Sequence, residues 1–333
     1  MATTNQTAKQ HYVPRFYLKL FADSQKLLQV YNVKDKRLER PRVYSALGYE
    51  RYFYAAETGT PDKLSQTIEA WLGVHENIIA QNLPKIIKKI INLEQIVDDD
   101  RYILSALMCM LWLRSPKMRN ELNRMHEDAM KQIMSFNPSQ QVDNYINKTG
   151  SKMSESERKG LVKMLEDSSY DMKFNNVQHL QFMTNTLGFE SQGFTNMFFG
   201  QKWKIYIAKG TKRFITTDSP VVEMWAPPEG FYGSSFLERN KYFALNPEIL
   251  IELSVPIGSR KVKRETLFRE MDNKVDLLNV ILAANCHQYA YTDDKKIFEE
   301  MILGRATPRL SDIEYIKRFV IPWRKYKQER GIA

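Results

Sequence analysis

The chain has 333 residues, 43% of them hydrophobic, enough for a sizeable core in one large domain or two coupled lobes. With only 14 glycines and 13 prolines it is neither collagen-like nor low in complexity. Lysine and arginine outnumber aspartate and glutamate by 49 to 39, and this net charge of +10 favours polyanionic partners without naming one.

Residues 1–10 are polar, lack an apolar signal core and read as a disordered tail. Gln10–Ala22 follows as a string rich in aromatics. Pro14 suits a first helical turn, and on a helix that began early enough His11 and Arg15 would lie one above the other. Leu27–Val33 and Arg37–Glu39 around the polar Lys34-Asp35-Lys36 predict two paired strands. From about 61 to 200 the apolar spacing is helical. Asp62 is placed to cap a helix carrying Leu64, Ile68, Trp71 and Leu72 that runs on to Ile91, with a kink or restart at Pro84. Asp98-Asp99-Asp100 puts three carboxylates at the positive end of the next helix dipole, and Ser115-Pro116 closes that helix and opens another reaching about Met134. Two or three more helices extend to about 187, with Lys148–Lys152 as a loop. Beyond 200 the period returns to two, in Trp203–Ile207, Phe214–Thr217, Ile249–Val255 and Gln288–Thr292.

The charge follows the same division. Residues 1–60 hold 10 basic and 5 acidic side chains and residues 201–333 hold 23 and 17, whereas 61–200 is close to neutral. The expectation is therefore an α+β protein in which 11–60 and 201–333 pair into a small mixed or antiparallel sheet. The helical lobe 61–200 is inserted between them, all in one compact unit. Cys109 and Cys286 sit in apolar runs and read as small buried thiols, so a reduced, cytoplasmic compartment is expected. The longest apolar run, Tyr102–Leu113, is 12 residues, too short to span a bilayer.

The string His11-Tyr12-Val13-Pro14-Arg15-Phe16-Tyr17-Leu18 resembles the opening of a large bacterial family of uncharacterised proteins, domain of unknown function 4238. The likeness continues through Leu28–Val33, Phe53-Tyr54, Ile68-Glu69, Leu113-Arg114-Ser115-Pro116 and Phe214–Val221, and on to Pro247 and Leu250, covering about 10–292. A Thr-Asp-Ser-Pro string like Thr217–Pro220 recurs in such proteins. The resemblance implies no agreed activity and no catalytic residues.

The chemistry must then come from the residues. A histidine beside an arginine can hold a phosphate oxygen, and Asp218, at a strand end before Ser219-Pro220, projects into a loop as a base, a metal ligand, an orienter of His11 or His287, or the acceptor of an Asx turn. Glu69 and Glu76 lie seven apart on one helix face, beside His75. Neither a zinc or calcium signature, a phosphate-cradling glycine loop nor a nucleophile elbow occurs. No cofactor is assigned, and a divalent metal is left open without a motif to support it. Arg119 and His126 match an Arg–His ribonuclease spacing only in its loosest form, which arises by chance, and they read as a solvated helix face with Arg124. Arg260, Lys261, Lys263 and Arg264, with Arg324 and Lys325 among aromatics near the C-terminus, have the composition of a surface for single-stranded nucleic acid.

Two readings result. In the first, His11, Arg15, Glu69, Arg114 and Asp218 form the site of a phosphodiester-directed hydrolase of bacterial defence. In the second, the same residues are a buried structural network in a non-catalytic cytosolic sensor or protein-binding module. Oligomeric state is not legible.

Overall fold

The computed structural model describes residues 8–54, 56–57, 64–65, 67–172, 176–187, 193–224, 240–254 and 262–303. Its N-terminal elements are β1 (Lys9–His11), α1 (Arg15–Leu18), β2 (Leu27–Asn32), β3 (Arg37–Leu38), β4 (Arg42–Val43), β5 (Tyr49–Arg51), β6 (Ala56–Glu57) and β7 (Leu64–Ser65). Seven helices follow: α2 (Thr67–Ile91), α3 (Asp98–Leu113), α4 (Pro116–Ser135), α5 (Pro138–Thr149), α6 (Glu155–Glu166), α7 (Asn176–Leu187) and α8 (Phe194–Gly200). The rest is β8 (Lys202–Ala208), β9 (Thr216–Thr217), β10 (Val221–Met224), β11 (Asn240–Asn246), β12 (Ile249–Ser254), β13 (Val262–Leu267), α9 (Asp272–Ala284), β14 (Tyr289–Thr292) and α10 (Lys295–Leu303). The fold is α+β.

One sheet joins the two ends of the chain. It runs β3-β2-β14-β9, with β4 also on β2, and β14 pairs antiparallel with β2 so that Tyr291 faces Val30 across the ladder. β2 and β3 turn back as the sequence predicts, Asn32 meeting Arg37. A second five-stranded sheet, β10-β11-β12-β8-β13, comes wholly from residues after 200. The expected antiparallel sheet between the two parts is therefore present, and this second sheet comes in addition to it. Its edge strand β13 runs parallel to β8, a pairing between remote segments that local alternation does not reveal. Val262–Leu267 reads from composition as part of a basic cluster. The apolar rows Trp203, Ile205, Ile207 and Ile249, Ile251, Leu253 are buried, and α3 packs against α8 and β10. α9 touches strands of both sheets.

α3 shows why these residues fold as they do. Asp98, Asp99 and Asp100 fill its first turn, and Asp100 accepts the Val97 N–H at 3.2 Å, satisfying one of the amides a helix start leaves unpaired. At the far end Ser115 caps α4 by accepting from Met118 N at 3.1 Å. The helix predicted from Asp62 begins instead at Thr67. Asp62 lies outside the described residues, and Leu64 and Ser65 pair with Glu57 and Ala56. Pro84 is accommodated inside α2 without ending it.

The opening string also departs from expectation. Lys9, Gln10 and His11 form β1 against β5, His11 opposite Tyr49, so 9–10 are not tail and His11 is not on a helix. A residue before proline is pushed out of the α region, so no helix reaches back through Val13, and α1 starts at Arg15. Val13 closes on Gly48, whose φ of +63° is the left-handed region. A Cβ there would fall 2.8 Å from Val13 Cβ. Tyr17, fully buried, donates from its hydroxyl to Ala244 O at 2.6 Å and lies 2.7 Å from Thr216 Oγ1, which fixes α1 to β11 and β9.

Candidate active site

The corner between β1 and α1 brings His11 and Arg15 together without a shared helix. Arg15 Nε lies 3.3 Å from His11 Nε2, and the same nitrogen lies 3.2 Å from Ser45 O. It serves one of these at a time: protonated, it donates to the Ser45 carbonyl and leaves Nδ1 as the bare base; unprotonated, it accepts from Arg15. Both side chains line a cavity of about 400 Å³ together with Lys9, Glu69 and Glu76. The two carboxylates come from the first turns of α2, where a seven-residue spacing returns them to one face.

Arg114, at the C-terminal end of α3, is 1% exposed and ties this corner to the helices. It donates from Nε to Tyr54 Oη at 2.7 Å, from Nη1 to Glu76 Oε1 at 2.5 Å, and from Nη2 to the His11 carbonyl. Arg114 therefore sits behind the cavity and positions His11 and Glu76; it is not among the side chains that line it.

Burial shifts two groups in opposite senses. It lowers the His11 pKa below 6.5, with Arg15 and Arg114 adding to the effect against the Ser45 carbonyl and Glu76. It raises Glu69 above 4.5, Glu76 reinforcing the shift while Arg114 and Arg15 oppose it. Glu69 Oε2 is buried and has no hydrogen-bond partner. Lys9, Arg15 and Arg114 against Glu69 and Glu76 leave the corner with an excess of positive charge when both carboxylates are ionised, which suits an anion.

Asp218 is held elsewhere. Its Oδ1 accepts from His287 N at 2.9 Å, and its Oδ2 from Gln288 N at 2.7 Å and Tyr289 N at 2.9 Å. Burial pushes its pKa up to about 6 although these amides pull it down. The carboxylate binds the loop leading into β14 and takes no part in the His11 cavity, so the five-residue grouping expected from sequence does not assemble. It accepts backbone amides, but from a segment about 70 residues away and not in the local Asx turn suggested by its sequence, where Ser219 N donates to Thr217 Oγ1 instead. The nearness of His287 is met, through its backbone N–H.

The basic clusters divide as well. Arg264 donates to Leu93 O at 3.0 Å and to Glu94 O in the turn that follows α2, so two of its guanidinium nitrogens are engaged within the fold. Lys263 is exposed. Arg260, Lys261, Arg324 and Lys325 lie outside the described residues. Arg119 is not on a solvated face: it pairs with Glu50 at 3.0 Å and stacks over Phe53, whereas Arg124 and His126 are exposed. Among the described residues no cluster of His, Cys, Asp or Glu is placed to hold a metal ion, and no helix is long and apolar enough to cross a membrane.

His179 is the deepest imidazole, fully buried, with Nε2 2.7 Å from Leu113 O. A carbonyl only accepts, so Nε2 carries the proton, and the buried Nδ1 is left bare without a partner. Burial drives its pKa down to about 4. The folded state then takes up this proton less readily than the unfolded one, and stability falls as pH drops from 6.5 towards 4. Compared with His179→Gln, the wild type is expected to lose about 2 kcal/mol more between pH 7.5 and 5, at about 1.4 kcal/mol per pKa unit. Urea denaturation at the two pH values measures this, and a constant gap between the proteins contradicts it.

A family model described as "Protein of unknown function (DUF4238)" matches residues 9–296. No curated protein and no solved structure matches the chain.

Proposed function

We propose that this chain, which belongs to the DUF4238 family of proteins of unknown function, is a phosphodiester hydrolase whose site is the His11–Arg15–Glu69 cavity. The observation that carries the reading is the pair of opposed shifts within one cavity. Burial favours the neutral form of each, an imidazole able to take a proton and a carboxyl able to give one, and these are the forms of a general base and a general acid.

Arg15 and Lys9 hold the phosphate oxygens, and Arg15, exposed on the cavity rim, is free to turn from His11 to an anion. His11 takes a proton from the attacking water as the water oxygen bonds to phosphorus. The bond from phosphorus to the leaving oxygen breaks with its electron pair on that oxygen, which receives the proton of Glu69. Solvent then returns the proton from His11 to Glu69. Arg114 keeps the strand end of His11 and the α2 face in register. The exposed Lys263 and the cations outside the described residues support a nucleic-acid substrate, and the free thiols Cys109 and Cys286 support a cytoplasmic setting. A role in bacterial defence would use such an activity.

Activity needs His11 deprotonated and Glu69 protonated. The expected pH–rate profile is a bell whose acid limb reports protonation of His11 and whose alkaline limb reports ionisation of Glu69. The lowered His11 and raised Glu69 pKa values widen the range in which both are in the required form. Glu69→Gln is expected to lower the rate by about 100-fold or more and to remove the alkaline limb. Initial rates on a short single-stranded oligonucleotide across pH 4–8 test this, and a profile rising steadily to pH 8 opposes it.

The sensor reading draws on one observation, the commitment of every Arg114 nitrogen to partners within the fold: the Tyr54 hydroxyl, the His11 carbonyl and the half-buried Glu76. It gains over the hydrolase reading only where His11→Gln and Glu69→Gln leave all activity unchanged.

A further inference from the structure

The cavity that holds His11 and Glu69 is not charged throughout. Phe16 from α1 and Ala80 from α2 give it an apolar part, and Asn77, one turn before Ala80, gives it a neutral amide. Phe16 is half-buried, its ring supported by the core and so presented in a fixed place. A cavity of about 400 Å³ is near the lower end of the about 300–1,000 Å³ of small-molecule pockets, room for one nucleotide and not for a duplex.

A phosphate needs only the cations. A ring surface, a methyl and an amide in the same cavity suit a planar heterocycle with polar edges attached to that phosphate, since a base stacks on an aromatic ring and an amide can both donate to and accept from its edge. We infer that the cavity binds a single unpaired nucleotide, its phosphate on Arg15 and Lys9 and its base against Phe16 with Asn77 at the base edge. This rests on the phosphodiester reading and deepens it: the substrate class becomes single-stranded nucleic acid or a free nucleotide, read one base at a time.

The test is calorimetric titration of the full chain with adenosine 5′-monophosphate, uridine 5′-monophosphate, ribose 5-phosphate and inorganic phosphate at pH 6. The nucleotides are expected to bind about ten-fold more tightly than ribose 5-phosphate. Phe16→Ala should bring that ratio close to one. Because Phe16 also packs on the core, Ala80→Leu, which keeps α2 helical and fills the apolar part, is a second variant, expected to abolish the preference at unchanged melting temperature. Equal affinities for nucleotides and ribose 5-phosphate in the wild type, or a preference that survives both variants, overturn the inference while leaving the phosphodiester site standing. Failure of all four compounds to bind overturns both.

Discussion

Arg114→Met is expected to cost about 3–5 kcal/mol of folding stability, the range for breaking a buried ion pair by removing one partner. The guanidinium is buried, and its donors reach three separate segments: the β1 carbonyl of His11, the Tyr54 hydroxyl and Glu76 on α2. Methionine fills much of the volume but returns none of these bonds. It leaves a buried carbonyl and hydroxyl without a donor, and Glu76 without its cation. Glu76→Gln keeps an acceptor for Nη1 and is expected to cost less. Guanidinium denaturation of both variants measures the difference. A change below about 1 kcal/mol for Arg114→Met contradicts the positioning role given to this residue.

Asp218→Ala is the second large effect, with an expected loss of about 3 kcal/mol or more. The substitution strands the amides of His287, Gln288 and Tyr289, each of which costs about 1–3 kcal/mol when buried without an acceptor. Asp218→Asn retains one oxygen and should fall between. Melting temperature reads the structural effect, and the residual cleavage rate of the folded fraction reads any catalytic one. An Asp218→Ala protein with an unchanged melting temperature but no cleavage would contradict the account, because it would make the carboxylate part of the chemistry.

Much of this fold can be read locally. The acidic run Asp98-Asp99-Asp100, the Ser115-Pro116 break and the Lys34–Lys36 turn each act through neighbours within a few residues, and each lies where its chemistry predicts. The pairing of the two chain ends follows from alternation returning after the helices. What local chemistry misses is set by long-range contacts. β13 owes its place to β8, and the cavity owes its walls to a strand end meeting α2 behind Arg114. The i,i+4 spacing of His11 and Arg15 finds the right pair for the wrong reason, since proline excludes the shared helix and a strand–helix corner makes the contact. Glu76 is visible as the second carboxylate on the Glu69 face and Tyr54 only as part of the Phe53-Tyr54 resemblance, while Ser45 and Lys9 carry no signal of their own. Asp218 shows how a strand-end carboxylate can look like a site in sequence and serve as a backbone acceptor in space.

The most direct measurement is the rate of single-stranded oligonucleotide cleavage at pH 6 by the wild type and by His11→Gln, with melting temperatures recorded on the same preparations. The wild type is expected to cleave, and His11→Gln, folded to the same degree, to lose about 100-fold or more, the usual contribution of a positioned general base. Equal rates in the two proteins, or no cleavage by a folded wild type, would contradict a catalytic site at His11.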